Sequence, residues 1–347
     1  MKKFTSILIR FAFLICCMTG FYANAQINIT NGQTAAELAQ EIVGDGVTIT
    51  NAQITCADNG FGIFSNGNVT NIGLDGGIVL TTGLTSDIPG ENNSDATSRE
   101  RGTAGDADLA AIVGETTLDA CVLTFDFVPT DEFITVDYVF GSEEYVEWVC
   151  SQYNDVFAFL VNGPNPAGGN YVNQNVAIVP TSTLAVAINS VNNGTPGLGQ
   201  GTDPFPVSNC ESLSLTDYYV NNPVGAGTTI EYDGFTVVLS SQLEVIPNQS
   251  YTFKFAIADV SDRLWDSGVF IKASSFSSFD CSAGNITPGS DEVCLNDADN
   301  ASVTVTSSGV IAGDTYEYLL TNTSGDILAI QAGNTFNFSD LCAPSYN

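Results

Sequence analysis

Histidine is missing from this 347-residue sequence. That absence excludes Ser-His-Asp triads, Cys-His pairs and zinc sites built on imidazole. Basic residues are scarce as well, with 8 Lys and Arg against 39 Asp and Glu. Nucleic acid and anionic membrane surfaces both recruit positive charge, so neither suits this chain as a partner. No C-x-x-C pair occurs, which leaves thiolate metal sites and redox motifs without support. The sequence also lacks a G-x-S-x-G elbow, an EF-hand loop and a glycine-rich calcium repeat. Beyond the first residues no stretch approaches the roughly 20 apolar residues of a spanning helix.

Those first residues read as a secretory signal peptide, residues 1–25. Lys2 and Lys3 open it, Ile7 to Met18 is apolar apart from Arg10, and Ala23-Asn24-Ala25 is a cleavage signal before Gln26. Its removal takes away three basic residues and leaves 5 against 39 acids, a net charge of −34. The mature product is expected to be secreted or held at the outer cell surface, with no membrane insertion. Its charge favours solubility and, where acids converge, divalent cations.

Nine cysteines fall to seven with the signal gone. In an exported chain disulfides are the default. The pairing expected is Cys150–Cys210, Cys56–Cys121 and Cys294–Cys342 with Cys281 left over, one of several connectivities the sequence allows.

Thr34 to Val43 places Ala35, Leu38 and Ile42 at helical spacing, with Gly44 as a stop. From Val47 onward the text is β-like, punctuated by glycine and asparagine. Residues 86–108 read as a polar surface loop, followed by a helix from Asp106 to Val113 ended by Gly114. Strand signals follow at Cys121–Val128, Phe133–Phe140, Val156–Val161, Asn175–Val179, Ala185–Ile188, Phe235–Leu239, Tyr251–Ile257 and Val269–Ser275. Many short strands and two short helices predict an all-β fold, a large β-sandwich or jelly roll over residues 26–279. A second set of strands at Ala301–Thr306, Thr315–Leu320, Ile327–Ile330 and Thr335–Phe338 suggests an immunoglobulin-like module over residues 280–347. It lacks a convincing last strand, and truncation is favoured over a small complete module.

The most chemically loaded stretch runs from Phe133 to Asn162. Two core-type strands there flank a loop with Glu143, Glu144, Glu147, Asn154 and Asp155, and with Tyr145, Trp148, Cys150 and Tyr153 among them. Several blocks carry a family resemblance: G-L-D-G-G-I-V-L-T-T-G (Gly73–Gly83), G-D-A-D-L (Gly105–Leu109), T-F-D-F-V-P (Thr124–Pro129), Y-V-F-G-S-E-E-Y (Tyr138–Tyr145), Y-N-D-V-F-A-F (Tyr153–Phe159), Y-D-G-F-T-V-V-L (Tyr232–Leu239) and I-A-D-V-S-D…D-S-G-V-F (Ile257–Phe270). Over residues 26–279 the chain resembles the choice-of-anchor L domain of exported bacterial surface proteins, found especially in Bacteroidota with type IX secretion. The resemblance implies secretion or surface attachment through varied C-terminal anchors, and no defined activity.

Three readings of the loaded loop compete. In the first, Glu143, Glu144, Asn154 and Asp155 join Asp259, Asp262 and Asp266 from a late turn to hold calcium, which takes about six to eight oxygens. The bland counterpart is solvated acids, some capping turns, with Arg263 in an ion pair with a neighbour. In the second, Tyr145, Trp148, Tyr153, Tyr218 and Tyr219 recognise an extracellular glycan or protein. A Cys150–Cys210 bond would clamp the Asn192–Asn209 loop beside them. In the third, Glu143 or Glu144 acts as the acid of a carbohydrate-active hydrolase, with Asp155 or Asp266 as partner. Non-catalytic adhesion, organised by calcium, is the main expectation. The hydrolase and a structural spacer are its alternatives.

Overall fold

The computed structural model describes residues 26–225 and 230–279, together with the backbone of four short strands further along. The chain divides into two compact units, residues 1–279 and 280–347. The first unit runs β1 (Asn28–Thr30), α1 (Ala35–Ile42), β2 (Val47–Thr55), β3 (Phe61–Ser65), β4 (Gly77–Thr81), α2 (Ala107–Val113), β5 (Thr117–Pro129) and β6 (Phe133–Ser142). It continues with β7 (Val156–Pro164), β8 (Asn170–Asn175), β9 (Tyr219–Asn221), β10 (Gly234–Thr236), β11 (Leu239–Glu244), β12 (Tyr251–Val260), β13 (Ser267–Lys272) and β14 (Ser277–Phe279).

These strands form the two antiparallel sheets of an all-β sandwich. One has nine strands in the order β1-β3-β4-β13-β6-β10-β9, with β11 and β14 also paired to β6. The other has five, in the order β2-β5-β12-β7-β8. The period-2 pattern of β12 turns Tyr251, Phe253, Phe255 and Ile257 onto one face. They meet Phe125 and Phe127 from β5 and Tyr138 and Phe140 from β6 in the main core. The outer faces are covered too. Leu109 of α2 packs with Leu160, Ala256 and Ala258, while Ile72, Ile88, Ile230 and Tyr232 pack with Val79, Val139 and Phe270. Strands apolar on both faces are thereby accounted for.

Both helices form from their caps. Thr34 accepts from the Glu37 N–H at 3.3 Å, and the Glu37 carboxylate accepts from the Thr34 N–H at 2.7 Å, closing a capping box. Asp106 caps α2, and Gly114 ends it in the left-handed region with φ 76°. Gly44 serves another purpose than the stop expected of it. The helix already ends at Ile42, and a Cβ on Gly44 would come within 2.3 Å of the Ser274 carbonyl oxygen. It allows close approach of the 274–277 segment.

Three expected strands, Asn175–Val179, Ala185–Ile188 and Phe235–Leu239, differ from what forms. The strand expected at Asn175–Val179 lies earlier, at Asn170–Asn175. Asn175 Oδ1 accepts from the N–H groups of Phe159 and Ala177 at 3.2 and 3.0 Å, which bends the chain out of the ladder. Ile178 and Ala185, and Ala187 with Val156, then meet only in isolated bridges. The run expected at Phe235–Leu239 breaks in two. Thr236 Oγ1 accepts from the Phe140 N–H at 3.1 Å in place of a ladder bond, and β11 resumes at Leu239.

Cys56–Cys121 and Cys150–Cys210 form as expected, with Cα–Cα distances of 4.2 and 4.4 Å. At sequence separations of 65 and 60, each is worth about 4 kcal/mol on a chain-entropy model. In the second unit the backbone pairs Ser302–Thr304 with Thr335–Asn337 and Tyr318–Thr321 with Ile327–Gln331, both antiparallel. The expected signal peptide and the expected Cys294–Cys342 bond, with Cys281, lie outside the described residues. Among the described residues no helix is long and apolar enough to cross a membrane.

Candidate functional site

Register decides which acids meet. In the nine-stranded sheet Ser267, first residue of β13, pairs with Ser142, last residue of β6. Asp266 therefore stands beside Glu143, whose N–H donates to its carbonyl at 3.1 Å. In the five-stranded sheet Ala258 of β12 pairs with Val156, first residue of β7, which sets Asp155 beside Asp259. The turn of residues 261–266 crosses from one sheet to the other. All four strand ends meet at one end of the sandwich, where the Ser267 hydroxyl donates to Asp155 across the sheets at 2.6 Å.

One group is Glu144, Asp155 and Asp259. They are 0, 1 and 1% exposed. Asp155 is fixed by the Val260 N–H at 2.9 Å on Oδ1 and by the Ser267 hydroxyl at 2.6 Å on Oδ2. Glu144 and Asp259 are different: none of their four carboxylate oxygens has a hydrogen-bond partner. Burial drives both carboxyls well above their ordinary range, and the charge of Asp155 adds to each shift. The Thr82 hydroxyl favours the charged form of Asp259 without standing in hydrogen-bond geometry to it.

A buried carboxyl escapes this penalty in two ways, by taking a proton or by meeting a cation. A proton alone is a poor answer here, because a protonated carboxyl still carries an O–H donor that needs an acceptor. Among the described residues no ion pair brings a cation to these three acids. The pairs that form use Arg99, Lys254, Arg263 and Lys272, and none reaches Glu144, Asp155 or Asp259. Arg263 pairs with Asp119 at 3.3 Å, a residue far back in the chain rather than a turn neighbour. An all-oxygen set without nitrogen or sulfur suits a hard cation such as calcium. Among the described residues no group of three or more Cys, Asp or Glu side chains already stands at metal-holding geometry. An ion would have to draw these carboxylates inward by side-chain rotation.

Glu143 and Asp266 face a separate small cavity walled by Thr81, Leu84, Ile88 and Tyr232. Glu143 is 1% exposed, and burial, followed by the charges of Asp233 and Glu231, pushes its carboxyl up to about 11. Its Oε2 accepts from the Thr97 N–H at 3.3 Å, whereas Oε1 has no partner. Asp266 accepts from the Arg99 N–H at 3.0 Å, and burial raises it to about 7. Asp233 also rises to about 7 through burial. It accepts from the Asn92 amide at 2.7 Å on one oxygen only. The segment expected as a surface loop over residues 86–108 thus packs inward in part: Asn92 is buried, and Thr97 and Arg99 present backbone donors to the acids.

Two members of the expected metal set already serve the loops that carry them, although the charge of Asp262 still reaches Glu144 and Asp155. Asn154 accepts from the Asn189 N–H at 2.7 Å and donates to Glu211 at 3.3 Å, so its amide braces the loop. Asp262 is half-buried and accepts from the Leu264 N–H at 3.0 Å, an Asx turn.

The aromatic residues also divide. Tyr145 is fully buried, its ring 4.9 Å from Tyr219 and its hydroxyl donating to the Val191 carbonyl at 2.6 Å. It belongs to the core. Trp148 is half-buried and packs edge-on to Tyr153 at 5.0 Å. It also packs at 5.0 Å on Trp265, the chain's other tryptophan, and at 6.0 Å on Phe205. Gly197 and Gly199 donate to the carbonyls of Val149 and Glu147 at 2.8 Å, which lays the disulfide-clamped loop beside this patch. Tyr218, half-buried, packs against the core from the loop after Cys210.

Sequence reasoning missed Thr97, Glu231, Asp233, Trp265 and Ser267. A signal existed for Trp265, a bulky apolar residue within an acidic turn. It holds left-handed backbone, φ 58°, and its indole N–H donates to the Asp95 carbonyl at 3.2 Å. Glu231 and Asp233 had one as well, flanking Tyr232 in an otherwise apolar run. Thr97 acts through its backbone, which no side-chain pattern reveals.

Residues 26–277 match the family model described as Choice-of-anchor L domain. No curated protein and no solved structure matches the chain.

Proposed function

The chain belongs to the choice-of-anchor L family, and from that premise we propose that it is an exported, surface-displayed binding module whose acidic end is organised by calcium. The family description and the two disulfides suggest an extracellular or surface protein with a non-catalytic part in attachment. The observation that carries the calcium reading is the set of four unpartnered oxygens on Glu144 and Asp259, both buried beside Asp155. Burial of such charge costs several kcal/mol unless it is compensated.

The ligand surface is assigned to Trp148, Tyr153 and Trp265, half-buried aromatics that border the acidic end and present flat faces to a glycan or a protein loop. Burial also speaks for a non-catalytic module. Glu143, Glu144 and Asp259 are closed off from solvent, and the cavity at Glu143 has room for about one water-sized guest, not a sugar ring.

Calorimetric melting of the exported chain tests the proposal. Calcium at about 100 times its dissociation constant stabilises by about 2.7 kcal/mol, a rise of roughly 5 to 10 °C for a domain of this size. A midpoint that is the same in calcium and in chelator would remove the metal from the reading. A glycan array probed with the wild type and Trp148→Ala then tests the aromatic patch.

A further inference from the structure

We propose that this end of the sandwich takes two divalent cations, the second held between Glu143 and Asp266 in the cavity beside Tyr232. The inference rests on the reading of Glu144, Asp155 and Asp259 as a cation site and extends it.

Glu143 and Glu144 follow the end of β6 in a turn, and only Glu143 lines the cavity. Their surroundings differ accordingly. Glu144 feels Asp155, Asp262 and Asp259, whereas Glu143 feels Asp233, Glu231 and Asp266. Two carboxylates with separate acidic surroundings call for separate ions.

The second group has its own unanswered ligand. Glu143 is 1% exposed, lines the cavity and leaves Oε1 without a partner. Thr97 holds the other oxygen through its backbone N–H at 3.3 Å, which fixes the carboxylate's orientation. Asp266 is oriented in the same manner, with Oδ1 on the Arg99 N–H at 3.0 Å. Its Oδ2 occupies the space beside Gly83, where a Cβ would come within 1.7 Å of it. Residue 83 must be glycine for this carboxylate to sit there.

The charges of Arg99 and Arg101 reach Asp266, but the Arg99 guanidinium is engaged at 2.6 Å with Asp87, which also lines the cavity. Among the described residues neither arginine forms an ion pair with Glu143 or Asp266. Room for about one water-sized guest excludes an organic ligand. Carboxylate oxygens with hydroxyls nearby select a hard cation, calcium or magnesium, over zinc or copper. Asp266 also raises the carboxyls of Asp155 and Asp259 through its charge, so the two groups are electrostatically linked. Two ions there repel each other, and the second binds more weakly than the first.

Native mass spectrometry of the exported chain in a calcium titration counts the ions. The wild type is expected to take two per chain. Glu143→Gln is expected to take one, and Glu144→Gln combined with Asp259→Asn also one. Gly83→Ala displaces the Asp266 carboxylate without altering any acid and is expected to lose the weaker ion only. It carries the count if Glu143→Gln does not fold. One ion in the wild type, unchanged by Glu143→Gln or Gly83→Ala, would overturn the second site and leave the first standing. No bound calcium in the wild type would overturn both.

Discussion

Asp155 and Ser267 are joined by a 2.6 Å hydrogen bond that bridges the two sheets of the sandwich. Asp155 precedes a strand of the five-stranded sheet, and Ser267 begins one of the nine-stranded sheet. The same hydroxyl lies 2.8 Å from Ser142 Oγ, which in turn accepts from the Glu144 N–H at 2.9 Å. One serine thus ties together both acidic turns. Ser267→Ala is expected to cost roughly 1.5 to 3 kcal/mol, the range for a hydrogen bond to a charged group. Urea denaturation measures it, and the calcium-induced gain in stability is expected to persist because Asp155 keeps its carboxylate.

The buried acids predict an unusual pH dependence for the calcium-free protein. Asp233 and Asp266 titrate at about 7 in the fold, and burial is the main cause. In the unfolded chain an aspartate titrates near 3.9. A raised folded value means that the folded state binds more protons across the interval. The stabilisation is complete below about pH 4 and is lost as pH rises through about 7. In chelator, the melting midpoint is therefore expected to fall between pH 5 and pH 8. In saturating calcium that decline is expected to vanish or reverse, because the ion favours the ionised carboxylates. A chelated midpoint that rises over the same interval would contradict the placement of these groups.

The Cys150–Cys210 bond clamps the loop that borders the aromatic patch. Removing it by Cys150→Ala with Cys210→Ala is expected to cost up to about 4 kcal/mol. The loop of residues 192–209 then keeps backbone bonds to the 147–149 segment, such as Gly199 N–H to the Glu147 carbonyl at 2.8 Å. Limited proteolysis is expected to cut the variant within this loop and to spare the wild type.

Tyr145 and Trp148 are three residues apart and are expected to respond differently to substitution. Tyr145→Phe removes the buried bond to the Val191 carbonyl, at a cost of about 1 kcal/mol, and leaves ligand recognition unchanged. Trp148→Ala removes the half-buried ring that contacts Tyr153, Phe205 and Trp265. Glycan or protein binding is expected to be lost, with the melting midpoint much less affected. Binding lost in Tyr145→Phe and kept in Trp148→Ala would reverse the assignment of surface and core.

Much of this molecule is written in local pattern. The alternation of Tyr251 to Ile257 specifies a half-buried strand, Thr34 and Glu37 specify a helix start, and Asp106 and Gly114 bracket a second helix. These follow from periods of 2 and 3.6 residues and from orphan backbone groups at helix ends, all set within a few positions of the chain. The acidic charge balance and the exclusion of histidine chemistry are equally legible in the chain, because they are matters of composition.

What only the tertiary structure decided is which strand ends become neighbours. Asp155 and Ser267, 112 residues apart, meet because register sets Ser267 against Ser142 and Ala258 against Val156. Glu143 and Glu144 are adjacent in the chain, yet the turn after β6 gives them different partners. Thr97 became part of the site through a backbone N–H, and Asn175 ended a strand by turning its amide onto the main chain. Such outcomes depend on sheet packing and long-range hydrogen bonding, which a residue's own type does not encode.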